Sequence, residues 1–469
     1  MPGEPEGFHD AVGRDTGNVA RTSGATLRRQ VVYGRGTHVA ILLLALCGMI
    51  LVLLCTWPYG PGTSPDSVNY LSAARSLLAG QGYRYPDGGV FTHWPPLYPT
   101  LLAALEFVGI DALRGAAWAN SLAFGLTILL SGWLLVRCAV SPAFVVIGVL
   151  AVVLSGPLLD AFVMVYSEPV FVLLTLVFLL SMTTYLRVKS AKALLLAALA
   201  AGLACLQRYV GATLVLTGCL LIGLGPSRIP LRRRCRDLVC FCLIAVGPIA
   251  VWFLRNYIHT GGIAGPREFY SSAGQGIDRA LVAGMNVLSE WFVPGSGSLQ
   301  TKDVFHFHTT QFVKWFGAGS LSSPVRVVGM AIVVLVAAIA VLRSRRTRGG
   351  SNPGVLTAIG PAAVFVLTYF GFLTVYSMRV SWDPFTGRHL TPIFIPIVLL
   401  LVAGMEETFG LLGRLVGRSA GGKALGLAVC ILWLAYPLDI ARTHVCHCHA
   451  QGPGGYSTPQ WKNSPTMEW

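Results

Sequence analysis

Two acidic residues mark points where an apolar stretch gives way to the start of a helix. Asp66 follows Ser64 by two residues after the first long apolar run, and Glu168 stands directly before Pro169 and another run. A carboxylate in the first turn stabilises a helix by about 0.3–1 kcal/mol. An ionisable group at the edge of a membrane span is also costly there, which makes it a candidate for catalysis or binding. We therefore take Asp66 and Glu168 as candidate catalytic residues, with helix stabilisation as the alternative.

Three arginines stand in short polar segments between apolar runs, namely Arg208, Arg255 and Arg388. The planar guanidinium group forms paired hydrogen bonds with phosphate or carboxylate oxygens. An arginine near the end of a span can also extend its charge to the membrane interface. We predict that these arginines bind the anionic part of a substrate, with interfacial placement as the alternative for each.

The loop before residue 100 contains His93 and three prolines within residues 95–99. The prolines exclude a continuous helix through that stretch. His93 is a candidate catalytic residue, as a proton donor or a ligand, although a lone histidine in a loop often has neither role.

A second dense group of candidate ligands lies at His444–His449, with three histidines and two cysteines. These residues are closer in sequence than the spaced pairs of a standard tetrahedral zinc site. A structural metal, a disulfide and an ordinary polar segment all remain open. The other cysteines fall mainly within apolar runs, as small buried residues often do.

Long apolar runs must position these residues. Hydrophobic residues make up 54% of the 469 and charged residues only 12%, which excludes a disordered chain, a coiled coil and an ordinary soluble enzyme. A bilayer core of about 30 Å needs about 20 apolar residues per helix. We predict an all-α, polytopic membrane protein with about eleven spans. The runs are 36–65, 115–136, 138–159, 169–186, 193–207, 209–227, 238–254, 327–342, 349–378, 389–405 and 424–438.

The lysines and arginines predict the orientation of these spans. With the N-terminus in the cytosol, the inside segments hold 21 of the 35 Lys and Arg residues, and cytosolic loops favour positive charge. The net charge of +15 then points to lipid head groups and not to nucleic acid. We predict a cytosolic disordered tail at 1–36, a transmembrane domain at 37–442 and an outer tail at 443–469.

Most of the remaining chain is then predicted to face outward, in loops at 58–114 and 255–326. The first of these loops contains a helical pattern that begins at Ser64 and stops at Gly80. Its apolar and small residues fall on one face, which predicts an amphipathic helix lying along the outer surface.

Several short motifs occur in a characteristic order. They are Asp66 with Tyr70 and Ala74, Gly80-Gln81-Gly82-Tyr83, Pro95-Pro96-Leu97-Tyr98-Pro99, Ser167-Glu168-Pro169, Arg208-Tyr209, Leu254-Arg255-Asn256, Arg388-His389-Leu390-Thr391-Pro392 and Trp461-Lys462-Asn463-Ser464-Pro465. From residue 38 onward this order resembles the membrane glycosyltransferases of the GT-C fold, the group of protein O-mannosyltransferases and aminoarabinose transferases. Ser67 stands where the O-mannosyltransferases have a glutamate.

The resemblance implies a GT-C-like fold, a lipid-linked sugar donor, an outward-facing site and a catalytic acid at Asp66. From the residues themselves we further expect Glu168 and His93 to orient the acceptor or a metal. The substrate-binding positions that follow are Arg388, Arg208, Arg255, Tyr83 and Tyr98.

The residues support the same chemistry by a second route. The inside face has no glycine-rich phosphate loop, so a cytosolic nucleotide-sugar site is unsupported. A sugar used outside must arrive on a carrier in the bilayer, and a polyprenyl phosphate meets that need. The expected reaction is sugar transfer to a glycan, lipid or protein acceptor at the outer face of the plasma (inner) membrane, with Asp66 as general base. No cofactor is specified, and a divalent cation stays open.

Two other functions remain open. One is a transporter or flippase of a lipid-linked or small polar substrate, and the other is a scaffold that binds the lipid carrier without catalysis. Transporters tend to show internal repeats and charged residues at mid-span. The sequence shows no convincing repeat, and its candidate residues cluster near the ends of the runs, which favours the enzyme.

Overall fold

The regular structure of the protein is almost entirely helical. The computed structural model describes residues 33–138, 141–224, 230–265, 277–293, 331–339, 341–342, 353–379, 387–417 and 419–455. Within these residues, extended pairing is limited to three isolated β-bridges. The prediction of an all-α protein is confirmed.

The α-helices differ widely in length, from 7 residues in α6 to 33 residues in α14. A 3-10 turn at Tyr209–Gly211 separates α8 from α9. The α-helices are α1 Arg35–Thr56, α2 Pro65–Leu78, α3 Leu97–Phe107, α4 Ala112–Arg137, α5 Pro142–Val153, α6 Gly156–Phe162, α7 Glu168–Val188, α8 Ala191–Gln207, α9 Ala212–Gly223, α10 Leu231–Thr260, α11 Ile277–Phe292, α12 Pro353–Arg379, α13 Gly387–Leu415 and α14 Ser419–Gln451.

Seven of the described helices are long and apolar enough to cross a membrane, namely α1, α4, α7, α10, α12, α13 and α14. The pair α5 and α6 is bent by 48° and forms an eighth span if it counts as one. The chain is therefore a polytopic integral membrane protein. The predicted count of eleven is not confirmed, because α8 and the 209–223 segment are shorter apolar helices and the run at 327–342 is described, as helix, only at 331–339 and 341–342.

One continuous core joins α1, α4, α5, α7, α8, α13 and their neighbours. Small residues let these helices approach closely. At Gly202 in α8, an added Cβ would lie 3.1 Å from the carbonyl oxygen of Ile244 in α10, so a larger residue would push the two backbones apart. A second, aromatic cluster around Tyr70, Phe91 and Tyr98 lies beneath α2 and α3.

Several helix ends meet at one end of the bundle, which we call the site end. It contains the end of α1, the amphipathic helix α2 and the starts of α4, α7 and α13. Bridges from Gly62 to Met164 and from Thr63 to Gly455 connect its loops.

Helix α14 continues to Gln451, so residues 443–451 of the predicted outer tail are helical. The opposite end contains Arg137, Arg233 and Glu406.

Candidate active site

Helix α2 holds Asp66 at its first turn. Ser64 is the N-cap, and its backbone N–H donates to the Ser67 hydroxyl over 3.0 Å to complete a capping box. Ser67, Tyr70 and Ala74 form the buried face of the helix, which confirms the predicted amphipathic helix. Asp66 stands beside this face, with 27% of its side chain exposed.

The two segments that precede the acids run side by side. The Val165 N–H donates to the Gly62 carbonyl over 2.8 Å, and the Gly62 N–H donates to the Val163 carbonyl over 2.9 Å. An added Cβ at Gly62 would lie 2.0 Å from the Met164 sulfur, so a larger residue there would have to displace the Met164 side chain. The Ser67 hydroxyl also donates to the Val165 carbonyl over 2.8 Å. This pairing brings Asp66 and Glu168 to the same part of the site end.

Arg388, at the start of α13, joins the two acids. Its Nη2 donates to Asp66 Oδ2 over 2.6 Å, and its Nε donates to Glu168 Oε1. Arg208, at the end of α8, approaches the same Glu168 oxygen with its Nη1 at 2.6 Å. The result is a chain of alternating charges, Asp66–Arg388–Glu168–Arg208, which we call the ion network.

The members of the ion network differ in exposure. The Glu168 side chain is fully buried, whereas the side chains of Arg208 and Arg388 are 20% and 26% exposed. A buried carboxylate is tolerated only when charged or hydrogen-bonding partners compensate its lost hydration, and the two guanidinium groups supply that compensation. Glu168 is therefore the internal anchor of the network, and Asp66 is its accessible carboxylate.

Neighbouring polar groups fix the orientation of the arginines. Arg208 Nη1 also donates to Ser167 Oγ over 2.9 Å. The Tyr70 hydroxyl lies 3.4 Å from the same Ser167 oxygen, and Gln207 donates to the Ser167 carbonyl over 2.9 Å. On the other side, the Arg388 guanidinium carbon lies 3.8 Å from the centre of the Tyr166 ring, as in a cation–π contact.

The electrostatics keep Arg208 charged and the nearby phenols neutral. Burial alone would lower the pKa of Arg208, but the adjacent Glu168 carboxylate raises it above its ordinary value. Burial raises the pKa of Tyr70 and that of Tyr166. At neutral pH these phenols remain protonated and act as uncharged hydrogen-bonding groups.

Tyr98 packs beside the network. Its ring meets Tyr70 edge-on with 5.1 Å between centres. Its buried hydroxyl has no hydrogen-bond partner among the described residues, and burial raises its pKa well above the usual value. This hydroxyl is the one predicted substrate-binding group that is buried and still has its hydrogen-bonding capacity open.

Arg255 and Tyr83 occur together in a different place, under the loop at 83–91. Arg255 Nη1 donates to the Phe91 carbonyl over 2.8 Å, and the guanidinium lies over the Trp252 ring at 4.7 Å. The Tyr83 hydroxyl lies 2.9 Å from Thr100 Oγ1. The structure therefore places these two residues in contacts that hold the loop, and their predicted contact with substrate stays a prediction.

His93 lines an open pocket of about 460 Å³ next to α2. Its ring centre lies 4.4 Å from that of Trp94. The other lining residues combine polar and aromatic side chains, namely Asn69, Tyr85, Pro86, Asp87 and Trp94. Asn69 is three residues after Asp66, so both side chains project from neighbouring positions on α2.

Of the predicted residues, the structure brings together Asp66, Glu168, Arg208 and Arg388. No local pattern pointed to Tyr166, because its contact with Arg388 joins residues 222 positions apart. Ser167 stood within a recognised motif without an assigned role. Among the described residues, one group of side chains could hold a metal ion, Cys55 with His444 and Cys448, and it does not include the ion network.

Fold and site thus define a polytopic helical membrane protein with a paired acid–arginine site at one end. No protein-family model and no curated protein matches the chain. Solved structures do match, including the protein O-mannosyltransferase Pmt1–Pmt2 complex of S. cerevisiae bound to the sugar donor, at 16% identity and a TM-score of 0.40. That match covers 53% of this chain but only 40% of the yeast chain.

ArnT from Cupriavidus metallidurans also matches in two states. The structure bound to undecaprenyl phosphate shares 17% identity and a TM-score of 0.48, over 89% of this chain and 76% of ArnT. The apo structure shares 16% identity at the same TM-score, over 87% and 74%. These proteins belong to the group that the sequence motifs resemble. The similarity is distant, and the chemistry below rests on this chain's own residues.

Proposed function

We propose that this protein transfers a sugar from a polyprenyl-phosphate carrier to an acceptor hydroxyl at the outer face of the membrane. The ion network is the observation that carries the proposal. It sets an accessible carboxylate, Asp66, against two partly exposed guanidinium groups at the edge of the membrane spans. This combination supplies a base for the acceptor and cations for a phosphate leaving group.

The arginines have donors available for a phosphate. Arg388 Nη1 and the Nε and Nη2 of Arg208 donate to no described residue. A phosphate oxygen also competes with Asp66 for Arg388 Nη2, because phosphate and carboxylate suit the same guanidinium edge. Donor binding then releases Asp66 from Arg388, while the buried Glu168 keeps both arginines in place.

The reaction follows from these positions. Asp66 takes the proton of the acceptor hydroxyl, and the acceptor oxygen forms a bond to the anomeric carbon. The bond between that carbon and the phosphate oxygen breaks through an oxocarbenium-like transition state. The carrier leaves as a lipid phosphate, whose new charge Arg388 and Arg208 stabilise.

The pocket that contains His93 is suited to a sugar or a glycan acceptor. Its aromatic faces can pack against the C–H groups of a sugar ring, while Asp87 and Asn69 can bond to hydroxyl groups. A few convergent polar groups on an apolar lining are typical of small-molecule sites. Asn69 continues the face of α2 that carries Asp66, which places the pocket on the acceptor side.

The charge distribution supports an outward-facing site, and we propose the plasma (inner) membrane as its location. The opposite end of the bundle carries Arg137, Lys189 and the arginines of residues 232–236, and basic residues favour the cytosolic side. The site end is therefore assigned to the outer side.

Transfer by the purified full chain in lipid nanodiscs tests the proposal. The substrates are a panel of radiolabelled polyprenyl-phosphate sugars with glycan, lipid and peptide acceptors. Asp66→Asn should reduce turnover by about 10²–10⁴-fold, the usual contribution of a general base. Asp111→Asn is the matched control, because Asp111 caps α4 through a bond to the Arg114 N–H and asparagine caps equally well.

Two results would contradict the proposal. Turnover of Asp66→Asn equal to that of the wild type would remove the general base. Movement of intact donor across vesicle membranes, without transfer to any acceptor, would support the flippase instead.

A further inference from the structure

A second set of reactive side chains lies at the site end, outside the ion network. Cys55 from the end of α1 meets His444 and Cys448 from the end of α14. Their ligand atoms all lie within 4.8 Å of one another, and all three residues are buried. We call this set the Cys–His cluster.

Helical spacing explains how α14 contributes two of the ligands. His444 and Cys448 are four residues apart and therefore share one face of the helix. Cys446, between them, is exposed. Within residues 444–449, His444 and Cys448 therefore face inward. The third ligand, Cys55, comes from α1.

The distances fit a tetrahedral zinc ion. His444 Nε2 lies 3.5 Å from Cys448 Sγ. Bonds of about 2.3 Å to sulfur and about 2.0–2.1 Å to nitrogen, at the tetrahedral angle, place the two ligand atoms about 3.5 Å apart. This pair is already spaced as it would be around an ion, and the Cys55 sulfur lies within 4.8 Å of both atoms.

Asp160 in α6 supplies the outer partner of the imidazole. Its Oδ1 lies 3.1 Å from His444 Nδ1. A carboxylate at one ring nitrogen directs the lone pair of the other nitrogen toward the metal, an arrangement common around zinc. A disulfide between Cys55 and Cys448 would not involve the His444 imidazole, whose side chain is only 3% exposed.

We propose that Cys55, His444 and Cys448 bind a single Zn²⁺ ion, with Asp160 orienting His444. Two thiolates and one imidazole are ligands that favour zinc over magnesium or calcium. Binding releases the protons of the two thiols to solvent. A water molecule takes the fourth position.

The ion would fasten the wall of the proposed catalytic site. Cys55 and Cys448 pack against Val163, Met164 and Tyr166. Tyr166 in turn lies under the Arg388 guanidinium. The zinc site would thus hold the ends of α1 and α14 behind the segment that leads to Glu168.

Metal content of the full chain tests the proposal. The protein is purified with a tag that lacks histidine and analysed by inductively coupled plasma mass spectrometry. We expect one zinc per chain in the wild type and in Cys446→Ser, and loss of that zinc in Cys55→Ser and Cys448→Ser. Asp160→Asn should weaken zinc binding by about 10–100-fold in competition with a chelator.

A measurement on the wild type covers the case in which the cysteine variants fail to fold. After chelation, added Co²⁺ should give the near-ultraviolet charge-transfer absorption of a thiolate–cobalt bond, and Zn²⁺ should displace it. Failure to bind Co²⁺ would overturn the proposal. So would a Cys55–Cys448 disulfide in non-reducing peptide maps of metal-free protein, or equal zinc in Cys446→Ser and Cys448→Ser.

Discussion

The charged residues at the two ends of the bundle occur in different settings. At the site end, Asp66, Glu168, Arg208 and Arg388 come from four separate segments, and each side chain is at most 27% exposed. At the opposite end, Arg233 contacts Asp237 one helical turn away at 3.7 Å, and Lys423 contacts Glu406 at 3.2 Å. The cations of these pairs are 44% and 54% exposed, whereas their carboxylates are 7% and 12% exposed.

The difference in burial implies a difference in how much each ion pair contributes to stability. An exposed ion pair contributes about 0–1 kcal/mol to stability. A buried pair gains little over apolar packing, yet removing one partner costs about 3–5 kcal/mol because the other charge stays buried and uncompensated. The site end therefore retains buried charge at an energetic cost, and the proposed role in binding or catalysis would account for that cost.

Glu168→Gln should give the largest difference between the two ends. It leaves two partly buried guanidinium groups facing a neutral amide, so we expect a loss of about 3–5 kcal/mol in the free energy of unfolding. Denaturant titration in detergent measures it. Glu406→Gln is the matched change at the opposite end, where we expect a loss below about 1 kcal/mol. Equal losses for the two variants would show that burial of Glu168 does not govern the network.

Arg388→Lys tests the geometry of the network apart from its charge. Lysine keeps the positive charge but lacks the planar fork that reaches Asp66 and Glu168 together. If the proposed reaction is correct, turnover should fall about 10²–10³-fold, as for the loss of one charge-stabilising donor. Arg233→Lys is the control, with turnover within about twofold of the wild type. Full activity of Arg388→Lys would mean that a point charge suffices.

Local patterns in the sequence predicted the elements but not all of their partners. The span edges and the capped helix at Ser64 follow from apolar runs and helix-start signals, which depend only on neighbouring residues. Those signals also indicated that Asp66 and Glu168 share one end. They could not separate Arg388 and Arg208, which meet Glu168, from Arg255, which holds the loop at 83–91. That choice depends on how distant helices pack.

The ligands of the Cys–His cluster also could not be identified from local sequence patterns. Spacing within 444–449 did not match a standard zinc site, because the third ligand, Cys55, comes from the other end of the sequence. The helical register of α14 was the signal that separates His444 and Cys448 from Cys446. This register can be used only when the segment is known to be helical, whereas the apolar runs and charges predict an outer tail at 443–469.

Ser67→Ala should have a smaller effect than the changes in the network. The Ser67 hydroxyl accepts from the Ser64 N–H and donates to the Val165 carbonyl, so its removal weakens both the cap of α2 and the pairing of the two loops. We expect a loss of about 1–2 kcal/mol in unfolding free energy. Ser76→Ala in the same helix is the control, because the Ser76 hydroxyl has no hydrogen-bond partner among the described residues. If Ser76→Ala reduced the unfolding free energy as much, the effect would reflect a general sensitivity of α2 to substitution and not the hydrogen bonds of Ser67.

Lys423→Ala at the opposite end should have the smallest effect, about 0.2–1 kcal/mol. The stability deficit of this variant should also depend on the salt concentration. In 1 M salt the Debye length is about 3 Å, so the exposed Lys423–Glu406 attraction is screened and the difference between this variant and the wild type should vanish. The deficit of Glu168→Gln should persist at the same salt concentration, because ions do not reach a fully buried carboxylate. If both deficits faded together, the ion network would be as accessible to solvent as the pairs at the opposite end, and its proposed role as a preorganised phosphate site would lose its physical basis.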